Sequence, residues 1–170
     1  MTPLVRRTYA PRGITPIVEA WYRKGKISAI SAVTLSPVRK RAGLDFRLLP
    51  ENSNARGEDT VSFLSQLRSR LGGPLTILWD RSQIHQRCSV VKKYLAKHPE
   101  IVTEEFPGYA PDANPDEGVW GWTKYHRLAN FAATDLSELR SRLAGELSSL
   151  SGRRDLLASF IRHAKIPLQL

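Results

Sequence analysis

The sequence predicts a mixed α/β domain, on three observations. A short apolar run, Leu75 to Trp79, lies between the breaker Gly72-Gly73-Pro74 and a carboxylate, Asp80, which suits a buried strand. Two upstream segments alternate loosely in β-favouring residues. Leucines then recur at helical spacing from Leu136 to Leu150. The resulting order is strand, strand, helix, strand, helix, strand and then helices, without internal repeat or linker, so one domain over residues 1–170 is expected.

Residues 1–25 read as irregular, because Pro3, Pro11, Gly13 and Pro16 interrupt any period. Ile27 to Leu35 and Leu44 to Leu49 are the first two strands. They are joined as a hairpin around Pro37-Val38-Arg39-Lys40-Arg41, too long for a tight turn. A helix begins at Asp59 or Thr60, with Val61, Leu64, Leu67 and Leu71 on one face, and the glycine pair ends it. The apolar composition of 75–79 predicts a strand covered on both faces. Val90, Val91, Tyr94 and Leu95 mark a second helix that His98-Pro99 closes, and Ile101 to Phe106 is a strand. Helices are predicted from Pro115 to about Asn130, along the leucine face 136–150 with Thr134 as cap, and from Arg153 to Lys165.

At 170 residues the chain is long enough to bury a core. Lys or Arg interrupts every long apolar run, and the first residues lack the apolar stretch of a signal peptide. The single cysteine, Cys88, excludes an internal disulfide framework and a cysteine zinc site, and points to a reducing cytoplasm. Cys88 itself reads as a small buried residue. The net charge of +10 is uneven: residues 1–56 carry eleven Lys/Arg against three Asp/Glu. Such a stretch suits a polyanion such as DNA, although basic residues also simply solvate surfaces.

Asp80 falls where a strand opens into a loop, the place where ligands gather in α/β sheets. Its bland reading is a carboxylate bonded to its own loop backbone. Glu117 falls in the first turn of a helix started by Asn114 and Pro115. Its bland reading is the third position of a capping box, and the two roles are compatible. Asp116 is adjacent but points elsewhere on the helix. Lys124 and Arg127 follow one and two turns later, as phosphate contacts or as a solvated face. Trp120 and Trp122 read as packing residues rather than base-stacking platforms. His85 lacks a second histidine at metal-site spacing and reads as a satisfied structural residue. No Gly-rich phosphate loop is present.

The segments Trp79-Asp80 with His85, and Pro107-Gly108-Tyr109-Ala110-Pro111-Asp112-Ala113-Asn114-Pro115-Asp116-Glu117-Gly118-Val119-Trp120, resemble the catalytic core of insertion-sequence transposases of the mariner superfamily. In that branch an apolar strand ends in Asp, usually followed by Asn, and a later stretch reads roughly Pro-x-Tyr-Ser-Pro-x-Leu-Asn-Pro-Ile-Glu-x-Val-Trp. The two carboxylates here are 37 positions apart, near the family's spacing. Arg81, Ala110 and Asp116 depart from the pattern, and Arg81 places a cation beside the proposed metal ligand. Arg6 to Gly13 resembles the loop after the family's first strand.

The resemblance implies an RNase H-like sheet flanked by helices, and DNA strand cleavage and transfer on two Mg²⁺ or Mn²⁺ ions held by three carboxylates. Asp80 and Glu117 are the two that match. Arg6, Arg7, Arg12, Lys124 and Arg127 are the candidate DNA contacts. The strand carrying the family's first Asp lies upstream of the matched loop, and so does its helix-turn-helix region. The expectation is therefore a truncated catalytic domain, inactive alone, its first strand missing, with Asp45 on the wrong strand to substitute. Weak, salt-sensitive DNA binding, a second copy or the missing amino-terminal part as partner, and a cytoplasmic, nucleoid-associated location go with it. The rival is a non-catalytic remnant that binds DNA or transposase subunits as an inhibitor.

Overall fold

The structure is a computed structural model that describes residues 6–7, 9–17, 25–85, 87–108, 110–164 and 166. The motif residue Tyr109, and Lys165 at the predicted end of the last helix, lie outside the described residues, as do several positions of the amino-terminal segment. The described parts of residues 6–17 form no helix or strand.

Strands β1 (Ala29–Ser36) and β2 (Arg41–Leu48) pair antiparallel, Ser36 facing Arg41 across a four-residue connection in which Lys40 takes a left-handed conformation. Helix α1 (Gly57–Leu71) follows. It starts two residues earlier than predicted, because Asp59 accepts a bond from the Arg56 N–H and so acts as the third helical residue, not the first. It ends at Gly72 and Gly73, whose φ angles of 64° and 80° suit glycine and little else. Strands β3 (Leu75–Trp79) and β4 (Ile101–Glu105) pair in parallel around helix α2 (Ser89–Ala96). Among the described residues four strands form two two-stranded sheets.

The expectation that β3 is covered on both faces is corrected. Leu75, Ile77 and Trp79 turn inward, whereas Thr76 and Leu78 are exposed beside Val102 and Glu104 of β4. An apolar run reports composition and not the number of covering layers, so the two cases look alike in sequence.

The third helix is shorter than predicted. It is α-helical from Pro115 to Trp122 (α3) and continues as a π turn from Thr123 to Arg127, where the Leu128 N–H reaches the Thr123 carbonyl. Helices α4 (Leu136–Ser151) and α5 (Arg154–His163) complete the domain. The cap of α4 is Asp135 rather than Thr134: its carboxylate takes the Glu138 N–H, and Glu138 reaches back to Thr134. Gly118 lets α5 lie close on α3, since a Cβ there would stand 2.8 Å from the Phe160 ring. The main core joins β2, α3, α4 and α5 through Leu44, Val119, Leu147, Leu150 and Leu157. Among the described residues no helix is long and apolar enough to cross a membrane.

Candidate active site

Asp80 is the first residue past β3 and its side chain is 66% exposed. The buried Trp79 anchors the strand end behind it. One carboxylate oxygen, Oδ1, is held by the chain: it accepts the Ser82 N–H at 3.0 Å, and His85 Nδ1 lies 2.9 Å away. The same His85 nitrogen is 3.1 Å from the Asp80 carbonyl oxygen, and the imidazole stacks on Trp79 with centroids 4.9 Å apart. The loop-bonding role foreseen for Asp80 is therefore present, and among the described residues it occupies Oδ1.

Arg81, the cation next to Asp80 in the chain, has a carboxylate partner of its own. Its guanidinium faces Glu105 at the end of β4, with Nε 3.4 Å from Oε2. It also stands within ordinary contact of where a side chain at Gly108 would begin, so it ties the end of β3 to the loop leading toward α3.

Glu117 lies in the first turn of α3 and is exposed. Asn114 caps this helix by accepting the Asp116 N–H at 3.0 Å. The Asn114 N–H itself is bonded to the Pro111 carbonyl, so the reciprocal half of a capping box, expected of Glu117, is not formed. No hydrogen bond or ion pair engages the Glu117 carboxylate among the described residues. The helix dipole still favours a negative charge at that position.

Asp116 takes the structural role instead. Its Oδ2 accepts from Ser31 Oγ of β1 at 2.6 Å and from Trp120 Nε1 at 3.0 Å. Burial pushes its carboxyl pKa upward, against the two hydrogen bonds and with help from the neighbouring Glu117 charge. Asp45 is likewise structural, buried and paired with Arg70.

Of the candidate DNA contacts, Arg6, Arg7, Arg12, Lys124 and Arg127 are all exposed. Arg6 is pinned 124 positions from its partner: its N–H donates to Asn130 Oδ1 at 2.7 Å, and Asn130 Nδ2 donates back at 3.0 Å. Its guanidinium approaches His126 on the π turn, so the structure brings Arg6 onto the element that carries Lys124. The Arg127 guanidinium is engaged by the buried Glu146 at 2.6 Å, which Arg142 also holds. Cations cover both tryptophans: Lys124 over Trp120, and Arg153 over Trp122, with His126 also stacked on Trp122. The rings are packed as expected and are not presented as platforms. Sequence reading missed Ser31, Asn130 and His126, which carry no local signal, and the contact of His85 with Asp80, hinted at only by their spacing.

Asp80 and Glu117 each offer carboxylate oxygens. That chemistry fits a hard divalent cation that keeps several waters and takes one or two carboxylates. No group of three or more His, Cys, Asp or Glu close enough to hold a metal occurs among the described residues.

The family model described as DDE superfamily endonuclease matches residues 2–140. The chain belongs to the DDE superfamily endonuclease family. No curated protein matches the sequence. Among solved structures, this DDE domain is similar to the Mos1 transposase paired-end complex with left transposon end, at a TM-score of 0.54 and 14% identity over 96% of this chain and 52% of the other. The Mos1 mariner paired end complex with Mn gives 0.54 and 11% identity over 98% and 53%. The Mos1 transposase catalytic domain with Raltegravir and Mg gives 0.50 and 11% over 84% and 85%. At these identities the likeness shows the fold, which is RNase H-like. The chain spans about half the length of the Mos1 chains in the paired-end complexes.

Proposed function

We propose that this DDE domain is the catalytic part of an insertion-sequence transposase of the mariner superfamily, with Asp80 and Glu117 as ligands of Mg²⁺ or Mn²⁺ and DNA as substrate. The observation that carries the reading is the division of labour among neighbouring carboxylates. Asp45 and Glu146 are buried and ion-paired, and the half-buried Asp116 is held by Ser31 and Trp120, whereas among the described residues Glu117 and one oxygen of Asp80 are left open at a helix start and a strand end. A fixed carboxylate with no structural duty is what a cation site needs. When bound, a pair of such cations activates water or a 3′-hydroxyl and neutralises the leaving oxygen.

On this reading Arg6, Arg7, Arg12 and Lys124 bind backbone phosphates, and Arg127 joins them only by releasing Glu146. The partners are DNA and a second copy, or an amino-terminal transposase part that reads the element ends, in the cytoplasm at the nucleoid. The second reading is a non-catalytic DNA- or transposase-binding remnant.

Duplex DNA titrated at two salt concentrations, and supercoiled plasmid incubated with Mn²⁺, test both. The expected result is binding that weakens as salt rises, with no robust nicking by the 170-residue chain. Binding insensitive to salt removes the DNA reading. Robust nicking abolished by Glu117→Ala reveals a further ligand and removes the expectation that this domain is inactive alone.

A further inference from the structure

We infer that His85 is the positioning residue of the metal site: it holds the Asp80 carboxylate so that one oxygen is locked to the chain and the other faces the divalent cation. The inference rests on the reading of Asp80 as a metal ligand and adds a residue that reading does not use.

Three contacts converge on His85. Its Nδ1 lies 2.9 Å from Asp80 Oδ1 and 3.1 Å from the Asp80 carbonyl oxygen. Both neighbours are acceptors, so Nδ1 is the protonated nitrogen of the ring and donates. The imidazole lies flat on Trp79, with only 5° between the planes, and is 19% exposed. Trp79 is itself a buried core residue, so the stack fixes the ring against the frame of the domain. The backbone is fixed as well: the His85 N–H bonds to the Ser82 carbonyl, and the Cys88 N–H bonds to the His85 carbonyl. The Ser82 N–H meanwhile holds the same Asp80 Oδ1 at 3.0 Å. Two donors on one oxygen orient the carboxylate plane and, among the described residues, leave Oδ2 as the atom open to a cation.

This is the arrangement in which a hydrogen-bonded outer partner sharpens a ligand. Removing such partners typically lowers metal affinity by about 10–100-fold. His85 also packs, so a test must separate its donor from its ring. His85→Asn keeps a side-chain N–H near the position of Nδ1 and loses the stack. His85→Phe keeps the stack and loses the donor.

Tb³⁺, excited through the neighbouring Trp79 indole, reports occupancy directly, with Mn²⁺ as competitor and thermal unfolding as the check on folding. The expected result is an apparent affinity about tenfold or more weaker in His85→Phe, and largely retained in His85→Asn. A greater loss in His85→Asn than in His85→Phe means that the ring rather than the donor matters, and equal weakening in both means that the donor alone does not set the affinity; either result overturns the inference. Wild-type affinity in His85→Phe overturns it as well. Asp80→Asn separates the two levels. If it weakens Tb³⁺ binding while the histidine variants behave alike, only the role of His85 falls. If it leaves binding unchanged, Asp80 is not the ligand, and both fall.

Discussion

The two carboxylates proposed for the site stand on parts of the domain that are packed very differently. Glu117 rides on α3, whose Val119 belongs to a cluster of nine buried side chains, among them Leu143, Leu147, Leu150, Leu157 and Ile161. Asp80 ends a strand whose cluster holds three, Leu64, Trp79 and Val91. In the first region a deep core sets the direction of the helix, and Glu117 needs no contact of its own. In the second the sheet is open to solvent on one face, and Asp80 is aimed by short-range bonds from Ser82 and His85 and by the anchored Trp79. A functional side chain is thus held either by global packing or by a local clamp, and the thinner the core, the more the clamp matters.

The largest test of this contrast is truncation of each core. Leu147→Ala, at a site with no exposure, is expected to lose about 3–5 kcal/mol by urea denaturation. Leu64→Ala is expected at the low end, about 2 kcal/mol, because the thinner region relaxes around the void. Amide exchange adds the location: Leu64→Ala should accelerate exchange in β3 and α2 and spare α4. Equal costs with uniform exchange would show that the two clusters unfold as one.

A smaller effect is expected at Asp116. Its raised pKa means that the folded state holds its proton more tightly than the unfolded chain. The contribution of this group to stability is complete below the ordinary aspartate value of 3.8 and is lost as pH rises through the higher folded value. Asp116→Asn keeps an oxygen for Ser31 and Trp120 and cannot ionise. Its stability should fall less than that of the wild type between pH 4 and 7. A parallel pH profile for both proteins rules out Asp116 as the source.

The smallest expected effect is at Glu117. Glu117→Gln should change unfolding stability by less than about 0.5 kcal/mol, since among the described residues the carboxylate caps nothing and pairs with nothing. A loss of 1 kcal/mol or more would return Glu117 to the capping role.

Much of this was legible in the chain itself. The bounds of β3, the start of α3 at Asn114-Pro115 and the leucine face of α4 follow from signals within a few residues, because turns, caps and periodicity act locally. The placement of Asp80 at a strand end and Glu117 in a first turn came with them. Tertiary structure decided which charges are free. Ser31, 85 positions away, takes Asp116 out of contention; Glu105 gives Arg81 a partner; Glu146 occupies Arg127; and the open face of β3 shows in the exposure of Leu78. The partner of a long charged side chain is set by whichever residues the packed layers bring within a few ångströms. That choice leaves no periodic trace in the sequence, because it depends on distance in space and not on distance along the chain.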